Sequence, residues 1–403
     1  MKYFTTLLTI ATLSLVSCKN GNSSSHKIDI SSQNPETGEA NTQISPAFSG
    51  QTRIKGVKTS TAYTTDILSV GLGRPWAIID FPGSRFLVTD KNGEMLLVSN
   101  DGKTIKKIAG LPEVDTQSQG GLLDVALDPD FSSNRTIFWV YSEPYQDGNH
   151  TAVAKGVLSE DETKLEQVQV IFRATPTYDG KLHYGSRLAF DKNKDLFVST
   201  GERSDKQTRP LAQDPNTYLG KIIKITRDGS PAAGNPNLDG WKSEIYSIGH
   251  RNPQGLVFHP ETGELWETEF GPRGGDEVNV IRPGENYGWP TITYGIEYAG
   301  QTIGEGIGQK EGLQQPVYYW DPVVSPSGID FYSGNIEEWK NNLMIACLSG
   351  EKIIRLVLQQ GKVSGEEWLL TDAKERFRDL VSSSDGNLYA VTDSGKLFRI
   401  KKK

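Results

Sequence analysis

Five histidines and several arginine and carboxylate pairs are the side chains of this chain best suited to chemistry. His183 is the strongest candidate for a general base, because imidazole accepts a proton near neutral pH and the small neighbours Gly185 and Ser186 leave room for a bound ring. The remaining histidines lie in polar segments, in a turn or before an Arg-Asn pair: His26, His150, His259 and His250. His250 is the second candidate.

Two arginines are separated by a single residue in Arg376-Phe377-Arg378. In an extended segment, side chains at i and i+2 share a face, so both guanidinium groups point one way and Phe377 points the other. Two planar guanidinium groups on one face suit a ligand with several carboxylates. The alternative is an exposed strand edge.

The turn from Gly271 to Glu277 is rich in oxygen donors. It offers backbone carbonyls and the carboxylates of Asp276 and Glu277, with no thiol or imidazole. Those are ligands for a hard cation, and irregular geometry favours calcium over magnesium. A glycine-rich hairpin with solvated acids is the alternative.

Six similar segments must position these side chains. Each has an apolar strand, a turn with Pro, Asp, Gly or Asn, a second strand and usually a third, and they begin at Trp76, Leu122, Ser186, Gln254, Ser327 and Arg378. Units that cannot bury both faces alone stack around an axis as blades. The sequence therefore predicts an all-β six-bladed β-propeller, with a strand at 67–72 closing the ring onto the last blade. Two tandem β-sandwiches are the alternative.

Polar residues recur where four of the repeats begin. The segments concerned are Gln119–Leu123, His183–Arg187, Arg251–Gly255 and Arg376–Asp379. Propellers bind ligands at the mouth of the central channel, on the loops that connect blades. We therefore expect these four segments to converge on one site.

Composition limits the classes of function. The chain has 403 residues, 36% of them hydrophobic and 23% charged, which is ordinary for a soluble globular protein. Its net charge of -7 gives no reason to expect a polyanionic partner, since proteins that bind nucleic acid usually carry a basic face. Nucleic acid is therefore not an expected partner.

The first 60 residues have the composition of an export signal and a linker. The apolar run Leu7–Val16 is too short to span a bilayer permanently, and Leu15-Val16-Ser17-Cys18 resembles a bacterial lipoprotein cleavage site. We predict a signal peptide over 1–17 and a flexible polar tether over 18–60 from a lipidated Cys18. The propeller domain would occupy 61–403. A secretory signal with a chance cysteine is the alternative.

This organisation predicts where the protein resides. A lipid anchor would be its one attachment to the membrane, at the periplasmic or outer-membrane face of a bacterial cell envelope. If Cys18 is lipidated, Cys347 has no partner, so no disulfide is expected.

The run from Gly249 to Pro290, with the motifs above, resembles the glucose/sorbosone dehydrogenases, and most closely the aldose sugar dehydrogenases that use pyrroloquinoline quinone (PQQ). The resemblance extends from about Leu68 to the C-terminus. It implies oxidation of the C1 hydroxyl of an aldose to a lactone. His183 would remove the hydroxyl proton while hydride passes to the quinone, and Arg251 would stabilise the negative charge that develops during reduction.

The resemblance also implies cofactor and calcium ligands. Arg376 and Arg378 would bind carboxylates, of which PQQ has three, and Arg251 would lie near the quinone carbonyls. Calcium would be held by the Gly271 and Pro272 carbonyls and, in the same region, by Glu277, or Asp276 in its place, with the Tyr287 carbonyl. The remaining implied cofactor contacts are Gln119, Asn252, Tyr298, Cys347, Leu348, Ser349 and Phe377.

Two departures from the family pattern affect these expectations. Family members commonly place a basic residue against a cofactor carboxylate where this chain has Ser349, although Lys352 could reach back to replace it. The glucose-specialised branch has an acid before the base, whereas this chain has Leu182. A broad aldose specificity is expected for that reason.

Two rival functions belong to other classes. A calcium-dependent, lactonase-like propeller hydrolase would share the fold but would need carboxylates and asparagines converging from several blades. A non-catalytic sugar-binding propeller would leave His183 and the arginines without a role. For the dehydrogenase, the electron acceptor is open between the quinone pool and a cytochrome, and the assembly between a monomer and a homodimer.

Overall fold

The computed structural model describes Met1, residues 29–30 and residues 33–403. Within these residues, helix is limited to α1 (Phe131–Asn134) and two 3₁₀ turns, Arg209–Gln213 and Glu337–Trp339. No helix in this part of the chain has the length and apolar character to cross a bilayer. The predicted signal peptide and the lipidation site at Cys18 lie outside the described residues.

Almost all the regular structure is antiparallel sheet. β1 (Asp29–Ile30) pairs with β2 (Val57–Lys58), and β3 (Tyr63–Ser69) precedes the blades. The strands of blades 1 to 3 are β4 (Pro75–Phe81), β5 (Arg85–Asp90), β6 (Glu94–Ser99), β7 (Ile105–Ile108), β8 (Leu122–Leu127), β9 (Thr136–Tyr145), β10 (Gly148–Leu158), β11 (Leu165–Arg173), β12 (Gly185–Phe190), β13 (Leu196–Thr200), β14 (Lys221–Ile225) and β15 (Ile245–Ile248). Those of blades 4 to 6 are β16 (Pro253–Phe258), β17 (Leu265–Glu269), β18 (Asp276–Ile281), β19 (Tyr318–Trp320), β20 (Pro326–Phe331), β21 (Leu343–Cys347), β22 (Lys352–Gln359), β23 (Lys362–Leu369), β24 (Phe377–Ser382), β25 (Leu388–Thr392) and β26 (Leu397–Lys402).

Each blade is a four-stranded sheet, and the six blades form a ring. The first strands of the blades contact one another in sequence, from β4 through β8, β12, β16 and β20 to β24, which returns to β4. The second strand of each blade is buried on both faces over most of its length, because the neighbouring blades cover it. The predicted six-bladed β-propeller is confirmed.

The ring is closed where β3, the strand that precedes the first blade, pairs with β26, the last strand of blade 6. β3 completes blade 6 by antiparallel pairing with β26, with Asp66 opposite Arg399 and Ile67 opposite Phe398. A salt bridge of 2.6 Å joins Arg399 to Asp66 across the seam. The predicted closing strand is confirmed, and its bounds are 63–69 rather than 67–72.

A register shift interrupts the beginning of every first strand, at the same end of all six blades. The shifts lie between Pro75 and Ala77, Leu122 and Val125, Gly185 and Leu188, Pro253 and Gly255, Pro326 and Ile329, and Phe377 and Asp379. Bulges of this kind turn a side chain away from the face that strict alternation would give it. They therefore redirect side chains where the central channel opens.

Residues 33–61, which we call the N-terminal strap, differ from the flexible tether expected over 18–60. The strap lies against blades 4 and 5, where Thr59 donates to Glu367 (2.6 Å) and the Gln51 side chain donates to the Pro316 carbonyl (2.9 Å). A polar composition predicts disorder only where the segment finds no hydrogen-bond partners in the rest of the protein. Here buried acceptors on the propeller provide those partners. The tether expectation is corrected for 33–60; residues 18–28 and 31–32 lie outside the described part.

Candidate active site

A cavity of about 470 Å³ opens at the end of the channel where the register shifts occur. All four polar segments that the sequence places at the start of repeats contribute to its lining. The residues that line it are Arg74, Trp76, Lys91, Gln119, Leu123, His183, Tyr184, Gly185, Arg251, Gln254, Phe270, Gly271, Pro272, Asp276, Tyr298, Val323, Ser325, Leu348, Ser349, Arg376, Arg378 and Asp393. The four polar segments therefore converge on one cavity, as expected.

Five of the expected site residues do not line this cavity. The Asn252 side chain accepts a hydrogen bond from the Gly185 backbone (3.0 Å), the Cys347 thiol is buried in the core, and Phe377 packs edge-on against Phe398. These three support the cavity wall and do not face it. The other two, Glu277 and Tyr287, line a small adjoining cavity of about 10 Å³ together with Gly271 and Pro272.

His183 lies at the beginning of blade 3, in a tight turn. Its φ is 46°, and Gly185 follows at 67°, a left-handed conformation that suits glycine. Gln119 accepts a hydrogen bond from the His183 backbone (2.8 Å), and the ring Nδ1 lies 2.7 Å from a carboxylate oxygen of Glu202. Because a carboxylate accepts, Nδ1 carries the proton and Nε2 keeps its lone pair.

The electrostatic surroundings keep His183 neutral. Burial of the imidazole and, second, the Arg251 guanidinium lower its pKa to about 4, against a smaller raising effect of Glu202. The ring is thus a proton acceptor throughout the neutral range. Sequence reasoning missed Glu202, although β12 pairs Gly185 with Thr200 on β13 and so places the residues just after β13 beside the histidine.

Arg251 spans the boundary between the main cavity and the adjoining one. Its Nη1 donates to the carbonyls of Phe270 (2.9 Å) and Gly271 (2.8 Å), and its guanidinium lies 5.1 Å from the ring centre of Trp289. The backbone amides of Arg251 and Asn252 donate to Glu269. The guanidinium is therefore fixed in position by neutral backbone carbonyls.

A positively charged wall faces the cavity from blades 1 and 6. Arg376 and Arg378 both donate to Asp393, at 2.9 and 3.0 Å, so one carboxylate serves two guanidinium groups. Lys91 donates to the Ser118 carbonyl (2.7 Å), and burial, followed by Arg378 and Arg74, lowers its pKa to about 8. The sequence did not reveal Lys91, because Asp-Lys-Asn-Gly reads as an ordinary hairpin turn.

The oxygen-rich turn is organised by Asp276. Its carboxylate accepts backbone hydrogen bonds from Gly271 (2.7 Å), Val324 (2.7 Å) and Ser325 (2.6 Å). Burial raises the pKa of Asp276 to about 7, against the lowering effect of these bonds. Three donors occupy this side chain, so it holds two loops together and is not a free ligand in place of Glu277.

Three carboxylates lie together on one face of blade 4, with Glu267 and Glu269 buried and Glu277 half-buried. Strand pairing sets Glu269 opposite Glu277 and Glu267 opposite Asn279. Burial and, second, the Glu269 carboxylate raise the pKa values of both Glu267 and Glu277 well above the usual range. One oxygen of Glu267, the Asn279 carbonyl and His250 Nδ1 have no hydrogen-bond partner. Ligand atoms of His250, Glu267 and Glu269 lie within 4.8 Å of one another.

Comparison with known proteins decides the family. The glucose/sorbosone dehydrogenase family model matches residues 72–399. The chain belongs to this family. The recognition made from the motifs is confirmed, and the protein is an enzyme, an oxidoreductase of the sugar dehydrogenase class.

Curated relatives match over most of their length. The aldose sugar dehydrogenase YliI of Escherichia coli is 38% identical over 343 residues, which cover 83% of this chain and 92% of the relative. Quinoprotein glucose dehydrogenase B of Acinetobacter calcoaceticus is 26% identical, covering 83% and 86%.

Solved structures of the family share the fold. The apo form of the soluble aldose sugar dehydrogenase of Escherichia coli superposes with a TM-score of 0.81 at 38% identity, covering 85% of this chain and 100% of that one. The PQQ-bound aldose sugar dehydrogenase of Streptomyces coelicolor gives a TM-score of 0.71 at 27% identity, covering 86% and 100%.

Proposed function

We propose that the protein oxidises the C1 hydroxyl of aldose sugars to lactones with PQQ as hydride acceptor. The observation that carries the proposal is the pairing of a neutral, carboxylate-oriented histidine with a wall of cations in one cavity. His183 and Glu202 form the first, and Lys91, Arg376 and Arg378 form the second. When bound, PQQ would supply the electrophilic carbon that accepts hydride.

The charges of the cavity fit a ligand with several carboxylates. Five cationic side chains line it, namely Arg74, Lys91, Arg251, Arg376 and Arg378, against the carboxylates of Asp276 and Asp393. Asp276 is occupied by backbone amides and Asp393 is shared by two arginines. Cofactor carboxylates would complete this charge balance, and Gln119, Tyr298 and Leu348 line the remaining wall.

Lys91 would supply the positive charge that family members commonly have at the position of Ser349. The Ser349 hydroxyl lies 2.6 Å from that of Ser325, and the Lys352 ammonium lies 3.2 Å from the ring centre of Trp368, outside the cavity lining. Lys352 therefore does not reach back as the sequence suggested. Lys91, on the turn after β5, presents its charge in the cavity from blade 1.

His183 performs the proton transfer in this proposal. Its Nε2 would take the proton of the C1 hydroxyl while the C1 hydrogen leaves as hydride to the quinone, so the sugar loses two electrons and two protons in all and becomes the lactone. Glu202 would stabilise the imidazolium that forms, and Arg251 would stabilise negative charge on the acceptor. In support, Glu202 is hydrogen-bonded to the histidine, and the Arg251 guanidinium is close enough to lower the histidine pKa.

Calcium fits the donors of blade 4. We propose Glu277 and the Tyr287 carbonyl as ligands, with the Gly271 and Pro272 carbonyls facing the cofactor. Unpartnered oxygens beside them support a cation, because burying several carboxylates without one is strongly unfavourable. All these donors are oxygen, as calcium prefers.

Reconstitution tests the proposal. Purified apoprotein should reduce an artificial dye with aldoses only after PQQ and calcium are both added, and NAD should not replace PQQ. His183→Gln is the matched control, since it should bind PQQ and remain nearly inactive. Full activity without added or copurified quinone would refute the assignment.

A lactonase assay on the same preparation addresses the rival hydrolase. Such an enzyme needs free carboxylates and asparagines around a cavity metal, whereas the cavity carboxylates of the described chain are engaged by backbone amides or arginines. We expect no calcium-dependent lactone hydrolysis above the uncatalysed rate.

Export and lipidation remain proposals that rest on residues 1–18. Labelling cells with a radioactive fatty acid should mark the wild-type protein and leave Cys18→Ala unmarked.

A further inference from the structure

The N-terminal strap donates four hydrogen bonds to a single carboxylate of the propeller, that of Asp321. The backbone and side-chain nitrogens of Asn41 donate to Asp321 Oδ1, at 2.9 and 2.7 Å. The backbone amide and hydroxyl of Thr42 donate to Asp321 Oδ2, at 3.0 and 3.1 Å. Arg53 adds a bond to the Asp321 carbonyl (2.7 Å). Asp321 is 4% exposed, so the strap supplies the hydrogen bonds that this buried carboxylate requires.

Asp321 stands beside both loops that form one wall of the main cavity. It begins the connection from blade 4 to blade 5, in which Val323 and Ser325 line the cavity. It also packs against the oxygen-rich turn, because a side-chain carbon added at Gly274 would lie 2.8 Å from Asp321 Oδ1. Asn41 holds that turn directly, accepting a bond from Arg273 Nε (2.9 Å).

The two loops are themselves joined through Asp276, as described above, so they form one unit. Hydrogen bonds that fix one part of such a unit restrict the others. Hydrogen bonds therefore link the strap to the Gly271 and Pro272 side of the cavity, although the strap does not line the cavity itself.

We propose that the strap is a positioning element for the cofactor and cation site, acting through Asp321 on the loops 271–276 and 321–325. This inference rests on the proposed PQQ function for its affinity readout. The strap precedes the residues 72–399 that the family model matches. The functional unit of this chain would then begin near residue 33 rather than at residue 61.

The strap also offers a matched control. Its far end binds blade 5, where Thr59 Oγ1 donates to Glu367 (2.6 Å) and the Ser60 hydroxyl donates to Glu338 (3.1 Å). The test variant is Asn41→Ala with Thr42→Val, and the control is Ser60→Ala with Thr59→Val. Both remove side-chain bonds between strap and propeller, but only the first touches Asp321. The single variant Thr42→Val serves if the double variant does not fold.

Two measurements on the full chain decide the proposal. Hydrogen–deuterium exchange of the cofactor-free protein should speed up in peptides covering 271–276 and 321–325 for the test variant and stay unchanged for the control. PQQ titration in calcium should show affinity weakened by about 2- to 30-fold in the test variant alone. kcat at saturating PQQ should be retained.

Equal changes in both variants, or no change in either, would overturn the positioning role and leave the strap a stabilising segment. If the wild-type chain binds no PQQ, the proposed function fails. Exchange at the two loops then decides the strap inference by itself.

Discussion

At the scale of single residues, the site depends on how one histidine is kept neutral and oriented. The sequence could predict His183 from its small neighbours, but its partner Glu202 is separated by nineteen positions and meets it through strand pairing. Its protonation depends on burial and on Arg251, neither of which a pattern reports. The place of His183 in the cavity was therefore predictable, and the electrostatic surroundings that set its pKa were not.

Replacing the base should separate chemistry from binding. We expect His183→Gln to lower kcat by about 10²- to 10⁴-fold, the usual contribution of a general base. PQQ affinity should change little, because glutamine keeps roughly the size and one polar contact. Near-normal turnover would move the base elsewhere, with His250 next to test.

The pH profile should report the lowered pKa of His183. A base is active when deprotonated, so the acid limb of kcat/KM should lie well below pH 6.5, towards the pKa of about 4. In Glu202→Gln the acid limb should move to still lower pH, because the Glu202 carboxylate raises the histidine pKa in the wild type. The same variant should have a lower kcat. A limb near pH 6.5 in the wild type would contradict this environment.

The cationic wall can be tested independently of the base. Arg378→Ala and Lys91→Met should each weaken PQQ binding by about 10- to 100-fold, as expected for charge-assisted hydrogen bonds, and Arg376→Ala somewhat less because it is more exposed. Ser349→Lys should tighten binding. Arg399→Ala, which removes a cation of the same blade at the closing seam, is the control and should leave PQQ affinity unchanged.

At the scale of elements, the sequence predicted strands well and their irregularities poorly. Alternation and turn residues gave six blades, but strict alternation cannot indicate where a register shift lies. Trp76, Gln254 and Arg378 each stand within such a shift and line the cavity. Arg378 was predictable because Arg376 accompanies it, and Gln254 because it belongs to a polar segment at the start of a repeat, whereas Trp76 reads as an ordinary strand residue.

The pairing of β17 with β18 yields a prediction about metal removal. Because the buried Glu267 and Glu269 lie beside the half-buried Glu277, chelation of calcium should lower the melting temperature, and readdition should restore it. In Glu277→Gln the calcium-dependent shift should shrink by at least half. Calorimetry with and without chelator measures both, and a wild-type melting temperature indifferent to chelator would argue against the site.

At the scale of the whole molecule, composition predicted a flexible tether where the strap is hydrogen-bonded to the propeller. Small polar residues predict a disordered chain only when nothing else in the protein satisfies their hydrogen bonds. Here Asp321, Glu338 and Glu367 do so from distant parts of the sequence. Long-range partners of this kind follow from the finished fold, so the propeller had to be known before the strap could be assigned.

The seam between β3 and β26 has a consequence for biosynthesis. Arg399 on β26 follows Asp66 on β3 by 333 positions, so β3 has no partner in its sheet until almost all of the propeller has been synthesised. Until then the edges of β25 and β3 that pair with β26 are free, and unpaired strand edges favour pairing between molecules. Nascent chains of this protein are thus exposed to aggregation until β26 has been synthesised, and a truncation that removes β26 should yield insoluble protein in a fractionation assay.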